Sequence, residues 1–268
     1  MQKFVNKKYL KSHHYKDDSK LVFRKKFNSF AKPRVQFGTK IIDIIKKVEA
    51  KRVLDVGCGN GDLLIQIRKT GFKGELYGID ISGGIIMPGI KQNAKEKLNI
   101  SLKVGDAENL YFKSNHFDII VAKHMLYHLA HVQKGINEIY RCLKPGGIFI
   151  ITLNSRRDKP QLCKCEKLIC KKYKLKTEHG KDVVNVENVK RFLSKFSNIK
   201  TSLSTGKVNK PELFTQYFAT FKDSYSPTPN QETWSFVLKD VDNFVKRQIK
   251  NKGKFIETCV TGLIIATK

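Results

Sequence analysis

The sequence has no apolar stretch that approaches the ~20 residues needed for a membrane-spanning helix. Its polar start, residues 1–8, also lacks the apolar segment of a secretory signal. We therefore expect a cytoplasmic protein with no membrane partner. An apolar content of 40% still supplies a core, and 268 residues suit one domain with a small lid or insertion.

Cysteine is scarce and scattered. With six cysteines and no export signal, reduced thiols are the expectation. Cys163, Cys165 and Cys170 form a C-x-C-x4-C cluster, but this spacing matches no common zinc pattern. The one further ligand that the sequence offers is the distant His179. We expect no metal site.

Acidic residues are also few, with 24 against 52 basic residues and a net charge of +28. Such an excess could neutralise nucleic-acid phosphates. However, 43 of the basic residues are lysine and 9 are arginine, whereas phosphate recognition favours the arginine fork. The charge is +10 over residues 1–50, +5 over 51–154 and +13 over 155–268. It is compatible with RNA, an anionic metabolite or a solvated surface.

A glycine-rich turn organises the chain. Residues 52–56 read as a buried strand, and Gly57, Gly59 and Gly61 interrupt it before a helical segment. Glycines at alternate positions allow positive φ and a close approach of the backbone to a ligand. The order G-x-G-x-G, with Asp55 two residues before the first glycine, differs from the dinucleotide pattern G-x-G-x-x-G.

Acidic residues end the next two predicted strands. Asp80 lies nineteen residues after Gly61, a separation at which βαβ nucleotide sites bind ribose hydroxyls through a carboxylate. The alternative, a helix cap, suits Ser82 better than Asp80. Asp106 ends a third strand, where on its own it would be an ordinary turn residue.

Two further motifs follow, a strand at 117–122 with the run 123–129 and a Leu-Lys-Pro-Gly-Gly turn at 143–147. Together, the five motifs over residues 50–155 resemble the class I S-adenosylmethionine (SAM) dependent methyltransferases. The resemblance implies an α/β fold, a Rossmann-like, mostly parallel seven-stranded sheet with helices on both faces. It divides the chain into an N-terminal helical lid (1–38), a SAM-binding core (39–155) and a substrate-side helical cap with the final strands of the same domain (156–268).

The resemblance also implies functional residues. The cofactor-binding set comprises the glycine turn, the strand-end acids with the residues after them, and the start of the run that faces the sulfonium: Asp55, Gly57, Cys58, Gly59, Asp80, Ile81, Asp106, Ala107 and Lys123. His124, Tyr127 and His128 are the catalytic candidates near the methyl group, and His124 is the preferred general base. His128 serves equally well as a packing residue.

The leading hypothesis is a methyltransferase acting on an O or N atom of a small-molecule metabolite of secondary or intermediary metabolism. The sequence has no Asn/Asp-Pro-Pro-Tyr/Phe motif of amino-group methylation on DNA or protein, nor the cysteine pair of RNA cytosine C5 enzymes. An rRNA or tRNA methyltransferase that uses the basic surface is the alternative. A non-catalytic SAM-binding protein is a third, and we expect a monomer or homodimer.

Several elements outside the motifs are predicted from periodicity. Helices are expected at 39–48, 132–143, 159–173, 186–196, 211–221 and 232–248. A strand is expected at 198–203, and two final strands at 254–260 and 261–267. Because proline breaks helix hydrogen bonding, the helix after Asp80 should start late, near Pro88, or be kinked there. His13, His14 and Tyr15 are candidates for the lid.

Overall fold

The computed structural model describes residues 6–14, 16–34, 37–177 and 183–268. Tyr15 and the side chains of His13 and His14, assigned to the lid from the sequence, lie outside the described residues, as does His179. In the described ranges, no helix combines the length and the apolar character that crossing a membrane requires.

The centre of the molecule is a seven-stranded sheet with the order β3-β2-β1-β4-β5-β9-β7. Strands β1 to β5 are parallel, whereas β9 runs antiparallel between β5 and β7. The strands of this sheet are β1 Arg52–Val56, β2 Glu75–Asp80, β3 Ile100–Val104, β4 Phe117–Lys123, β5 Leu143–Asn154, β7 Ser197–Val208 and β9 Glu257–Thr267. This is the mostly parallel seven-stranded architecture expected from the sequence.

Both faces of the sheet are covered, as parallel strands require. In β1, Leu54 and Val56 belong to one hydrophobic cluster, and Val53 belongs to the cluster on the other side. All three side chains are fully buried. The carboxyl ends of the central strands therefore meet at one edge of a rigid core, where α/β folds bind their ligands.

The helices lie around the sheet and beside it. They are α1 Lys7–Tyr9, α2 Ser19–Ser29, α3 Phe37–Lys47, α4 Asp62–Lys69, α5 Gly83–Glu96, α6 Val132–Cys142, α7 Pro160–Tyr173, α8 Pro211–Ala219 and α9 Gln231–Lys252. Helices α3, α6, α7, α8 and α9 confirm predicted helices to within a few residues. Helices α8 and α9 are inserted between β7 and β9, as expected for a cap. A two-stranded ladder, β6 Lys176–Thr177 with β8 Tyr225–Ser226, completes this region.

Two predictions of secondary structure are wrong, the helix at 186–196 and the two separate strands at 254–260 and 261–267. Residues 186–196 contain a short 3-10 helix, Val189–Phe192, because the Asn185 side chain accepts the N–H groups of Glu187 and Asn188 and favours a turn. The last residues form one strand, β9, and the other antiparallel strand is the long β7.

The late start of the helix after Asp80 is also wrong. Helix α5 begins at Gly83 and contains Pro88. Ser82 caps it, since its Oγ accepts the N–H of Ile85 at 3.4 Å. The N–H groups of the first turn have no partner within a helix, so a capping serine lets the helix begin before the proline.

The N-terminal segment packs against the cap. Phe27 of α2 stacks on Tyr217 of α8 with ring centroids 4.2 Å apart, inside a second hydrophobic core that α7, α8 and α9 share. Lys25 of α2 also donates to Asn60 (3.0 Å) and to Asp62 at the glycine turn. Helix α2 thus connects the cap with the carboxyl edge of the central strands. The domain boundaries at 38 and 155 stay a prediction.

Candidate active site

A cavity of about 700 Å³ lies between the carboxyl edge of the sheet, helix α2 and helix α8. Its volume is within the roughly 300–1,000 Å³ typical of small-molecule sites. The lining includes eight of the nine predicted cofactor residues, namely Gly57, Cys58, Gly59, Asp80, Ile81, Asp106, Ala107 and Lys123. It also includes the three predicted catalytic residues, His124, Tyr127 and His128.

The glycine turn brings its backbone close to the cavity. Gly57 has φ +69, and a Cβ there would lie 2.6 Å from Cβ of Met125. Its N–H and that of Cys58 donate to the Ile79 carbonyl at 2.8 and 2.9 Å, and Gly59 N–H donates to Asp80. Because these three N–H groups are already bonded, the turn offers a ligand close approach to its backbone rather than free N–H donors.

Asp80 ends β2 and is 9% exposed. Its Oδ2 accepts the N–H of Gly59 at 2.9 Å, and its Oδ1 accepts the N–H of Ser82 at 3.0 Å. Burial raises the pKa of this carboxyl, and the backbone donors partly offset the effect. A carboxylate has acceptor capacity beyond these bonds. Since Asp80 also lines the cavity, it can accept hydroxyl groups there.

Asp106 carries a partner that sequence reasoning did not anticipate. Nζ of Lys7 lies 2.6 Å from its Oδ2 and 3.1 Å from Oε2 of Glu108. Burial alone would raise the pKa of Asp106, but hydrogen bonds from Lys7 and the Glu108 N–H lower it. This predicted cofactor residue is thus shared with the N-terminal segment.

Asp55 is the predicted cofactor residue that does not line the cavity. It is 1% exposed, and its Oδ1 has no hydrogen-bond partner among the residues that the structure describes. Burial raises the pKa of Asp55 to about 7, against the opposing charge of Lys123. Lys123 does line the cavity, and burial lowers its pKa. Asp55 thus lies behind the turn, where its charge acts on Lys123.

His124 follows β4 with φ +54, and its N–H donates to the Thr152 carbonyl at 2.9 Å. Burial, helped by the charges of Lys123 and Lys159, lowers the pKa of His124 to about 3. The imidazole is therefore neutral at physiological pH and binds a proton weakly. It can exchange hydrogen bonds with a ligand, but it is poorly matched to a general base, which works best with a pKa near the operating pH.

Tyr127 and His128 lie in the 3-10 helix Leu126–His128, with their ring centroids 4.6 Å apart in an edge arrangement. His128 N–H donates to the Met125 carbonyl at 2.9 Å. The structure thus brings the predicted catalytic residues to one wall, adjacent to Lys123.

Another part of the cavity lining contains residues that sequence reasoning missed. Lys159 is 6% exposed, and its Nζ lies 3.2 Å from Oδ1 of Asp158. The Arg24 guanidinium lies 4.3 Å above the Phe221 ring and donates to the Thr220 carbonyl at 2.8 Å. The one sequence signal at Lys159 is the following Pro160, which indicates a helix start but not a buried ammonium.

The cysteine cluster lies away from this cavity, on α7. Cys165 is buried, while Cys163 and Cys170 are partly exposed. Within the described ranges, no three His, Cys, Asp or Glu side chains are grouped so as to hold a metal ion.

Comparisons with known proteins bear on this site. Residues 47–208 match the family model described as "Methyltransferase domain". The chain is 30% identical to the demethylmenaquinone methyltransferase of Staphylococcus saprophyticus, over 62% of this chain and 79% of that protein. It is 31% identical to the aklanonic acid methyltransferase DauC of a Streptomyces species, over 52% and 66%. It is also 31% identical to the ubiquinone/menaquinone biosynthesis C-methyltransferase UbiE of Neisseria meningitidis, over 41% and 45%.

Solved structures support the fold. YcgJ from Bacillus subtilis aligns with a TM-score of 0.58 and 16% identity, over 84% of this chain and 96% of that one. The [4+2]-cyclase SpnF aligns with a TM-score of 0.51 and 18% identity, over 85% and 80%. Because one neighbour is named as a cyclase, the fold by itself does not determine the reaction.

Proposed function

The chain belongs to the class I SAM-dependent methyltransferases, and we propose that its methyl acceptor is a small-molecule metabolite bound in the cavity beneath α2 and α8. The chain is an enzyme and its cofactor is SAM. When bound, SAM supplies an electrophilic methyl group, and the C–S electron pair stays on sulfur as the methyl leaves.

The residues at the carboxyl edge of the sheet fit this cofactor. Asp80 is a buried carboxylate that faces the cavity with acceptor capacity left, which suits the ribose hydroxyls. Gly57 and Gly59 line the cavity at positive φ and without a side chain, which suits a close approach of the aminoacid end of SAM to the backbone. These observations support the proposal that Asp80, Ile81 and the turn 57–59 hold SAM.

The remaining cofactor assignments are proposals of the same kind. Asp106 can serve the adenine amino group if it shares its carboxylate with Lys7, and Ala107 lines the cavity beside it. We assign Asp55 an indirect role, through the charge that it presents to Lys123.

The observation that carries the small-molecule proposal is the cavity itself, whose volume of about 700 Å³ is of the size that small molecules occupy. Phe27 of the lid stacks on Tyr217 of the cap, so α2 and α8 cover part of the site together. The relatives named for demethylmenaquinone and aklanonic acid methylation also support a small acceptor. Transfer to rRNA or tRNA remains the alternative that the experiment below tests.

The acceptor atom is part of the proposal. The sequence favours O or N, and a relative named as a C-methyltransferase adds an activated carbon as a second candidate. Transfer mainly requires the acceptor, the methyl group and sulfur to be held in line. We assign this positioning to Tyr127 and His128, and to His124 the acceptance of a hydrogen bond rather than of a proton.

Labelled methyl transfer tests the proposal. Purified protein and methyl-labelled SAM would be added to an extract of the source cells, and the product divided into low-molecular-weight and nuclease-sensitive fractions. We expect label in the low-molecular-weight fraction, and none there with Asp80→Ala. Label confined to nuclease-sensitive polymer would overturn the proposal in favour of an RNA acceptor.

A further inference from the structure

The carboxylates that line the cavity lie on one side of it. Asp80 ends β2, while Asp62 and Asp106 follow β1 and β3 and are paired with Lys25 and Lys7. On the wall formed by β9, α8 and the start of α7, the described lining residues include no carboxylate. That wall carries Lys159, and Arg24 of α2 also lines the cavity. An acceptor bound there meets the ammonium of the Lys159–Asp158 ion pair rather than a lining carboxylate.

Lys159 is held at this wall by the backbone and by its ion pair. Its φ is +58, a left-handed conformation that residues with side chains rarely adopt, and its N–H donates to the Thr258 carbonyl at 2.8 Å. Asp158 accepts from the ammonium at 3.2 Å and also accepts the Val260 N–H at 2.7 Å. Burial would lower the pKa of Lys159, but the charge of Asp158 and the neighbouring Tyr217 and Cys259 raise it well above its usual value. The group is therefore a permanent cation.

Two polar groups accompany the ammonium. Nζ of Lys159 lies 6.0 Å from the Tyr217 ring centroid, and Tyr217 also lines the cavity. Stacking on Phe27 holds the Tyr217 ring in place. Arg24 is held by Thr220 and the face of Phe221. Cations and a phenol that are fixed at one wall form a preorganised site for an anion.

We propose that the methyl acceptor binds as an anion, with a carboxylate or an ionised phenol or enol group against Lys159 and near Arg24 and the Tyr217 hydroxyl. This inference rests on the proposed function, because it describes the acceptor of that same cavity.

An ionised acceptor also suits a neutral His124. A lone pair of the phenolate or enolate forms the new bond to the methyl carbon, and the C–S pair returns to sulfur. The negative charge of the acceptor and the positive charge of the sulfonium cancel. O-methylation then requires no proton removal during transfer, and a neutral His124 is sufficient beside the reacting atoms.

A pair of fluorescent probes tests the inference on the protein saturated with S-adenosylhomocysteine. The anionic probe is 1-anilinonaphthalene-8-sulfonate, and the neutral probe of similar shape is N-phenyl-1-naphthylamine. We expect Lys159→Met to weaken the anionic probe by at least about tenfold, because a buried charge partner is lost, and to leave the neutral probe unchanged. Lys159→Arg should retain most of the preference.

Three controls make the result decisive. Lys250→Met removes the same charge from an exposed position on α9 and should change neither probe. The double variant Asp158→Asn with Lys159→Met leaves no unpaired buried charge and should repeat the selective loss while remaining folded in thermal unfolding. Calorimetry with S-adenosylhomocysteine reports the cofactor site separately, so failure of the proposed function would appear there.

Equal binding of the anionic probe to the wild type, to Lys159→Met and to the double variant would overturn the inference. Parallel loss of both probes in the folded double variant would do so too, since it would assign Lys159 a purely structural role.

Discussion

Replacing Asp80 with alanine should weaken SAM binding strongly. The carboxylate is buried, is fixed by the N–H groups of Gly59 and Ser82, and faces the cavity. A hydrogen bond to a charged group contributes about 1.5–3 kcal/mol. Loss of one such bond to a ribose hydroxyl therefore lowers affinity by about 10- to 150-fold, and loss of two lowers it further.

Asp80→Asn separates charge from shape. The amide keeps one acceptor oxygen, but its NH2 group faces the second backbone donor, so this variant should lose some thermal stability and bind SAM with intermediate affinity. Asp43→Ala, at an exposed position on α3, is the matched control and should leave binding unchanged. Isothermal titration with SAM, accompanied by thermal unfolding of each variant, provides the measurement. Wild-type affinity in a folded Asp80→Ala protein would refute the placement of the ribose at β2.

Three further predictions concern the glycine turn and two buried titratable residues, Asp55 and His124. Gly57→Ala should abolish SAM binding measured by calorimetry, because its Cβ would lie 2.6 Å from Met125 Cβ. Gly71→Ala, at φ +84 with open space around it, should only reduce thermal stability. Equal losses of SAM binding in the two variants would contradict this prediction. The pKa of Asp55 in the folded protein is about 7, so the protonated carboxyl stabilises the fold fully below about pH 4 and this contribution is lost as the pH rises to 7. Asp55→Asn should therefore stabilise the protein by up to roughly 4 kcal/mol more at pH 8 than at pH 4 in urea unfolding. A difference in unfolding free energy that does not change with pH would disprove the assignment. With a pKa of about 3, His124 should show no NMR titration between pH 5 and 9, and a midpoint near 6.5 would show that it is not desolvated.

The cofactor edge could be predicted because its signals are local. The strand that ends at Val56, the glycine turn and the strand that ends at Asp80 are contiguous in sequence, and parallel strand ends meet at one edge of the sheet. Ser82 as a helix cap follows from its own side chain. Residues whose position depends on the neighbouring backbone could therefore be placed from the chain alone, while their roles stay a prediction.

Contacts between distant segments were not predictable in this way. Lys7 reaches Asp106 across 99 residues, and Lys159 becomes buried only because α8 and β9 close over it. Nothing in the local sequence distinguishes these lysines from the many others in the chain. A general base requires a suitable pKa, and the pKa of His124 depends on burial. The periodicity of the sequence does not report that burial. The turn at Asn185 shows the opposite failure, because a local side-chain hydrogen bond overrode an apolar helical pattern.

The most direct measurement is the crystal structure of the protein with S-adenosylhomocysteine bound. We expect the ribose hydroxyls on the Asp80 carboxylate, the aminoacid end over the turn at Gly57 and Gly59, and sulfur directed toward the wall that contains His124, Tyr127 and His128. The space beside Lys159 should then stay open for the acceptor. A ligand bound outside the cavity, or with its ribose away from Asp80, would show that the cofactor site lies elsewhere.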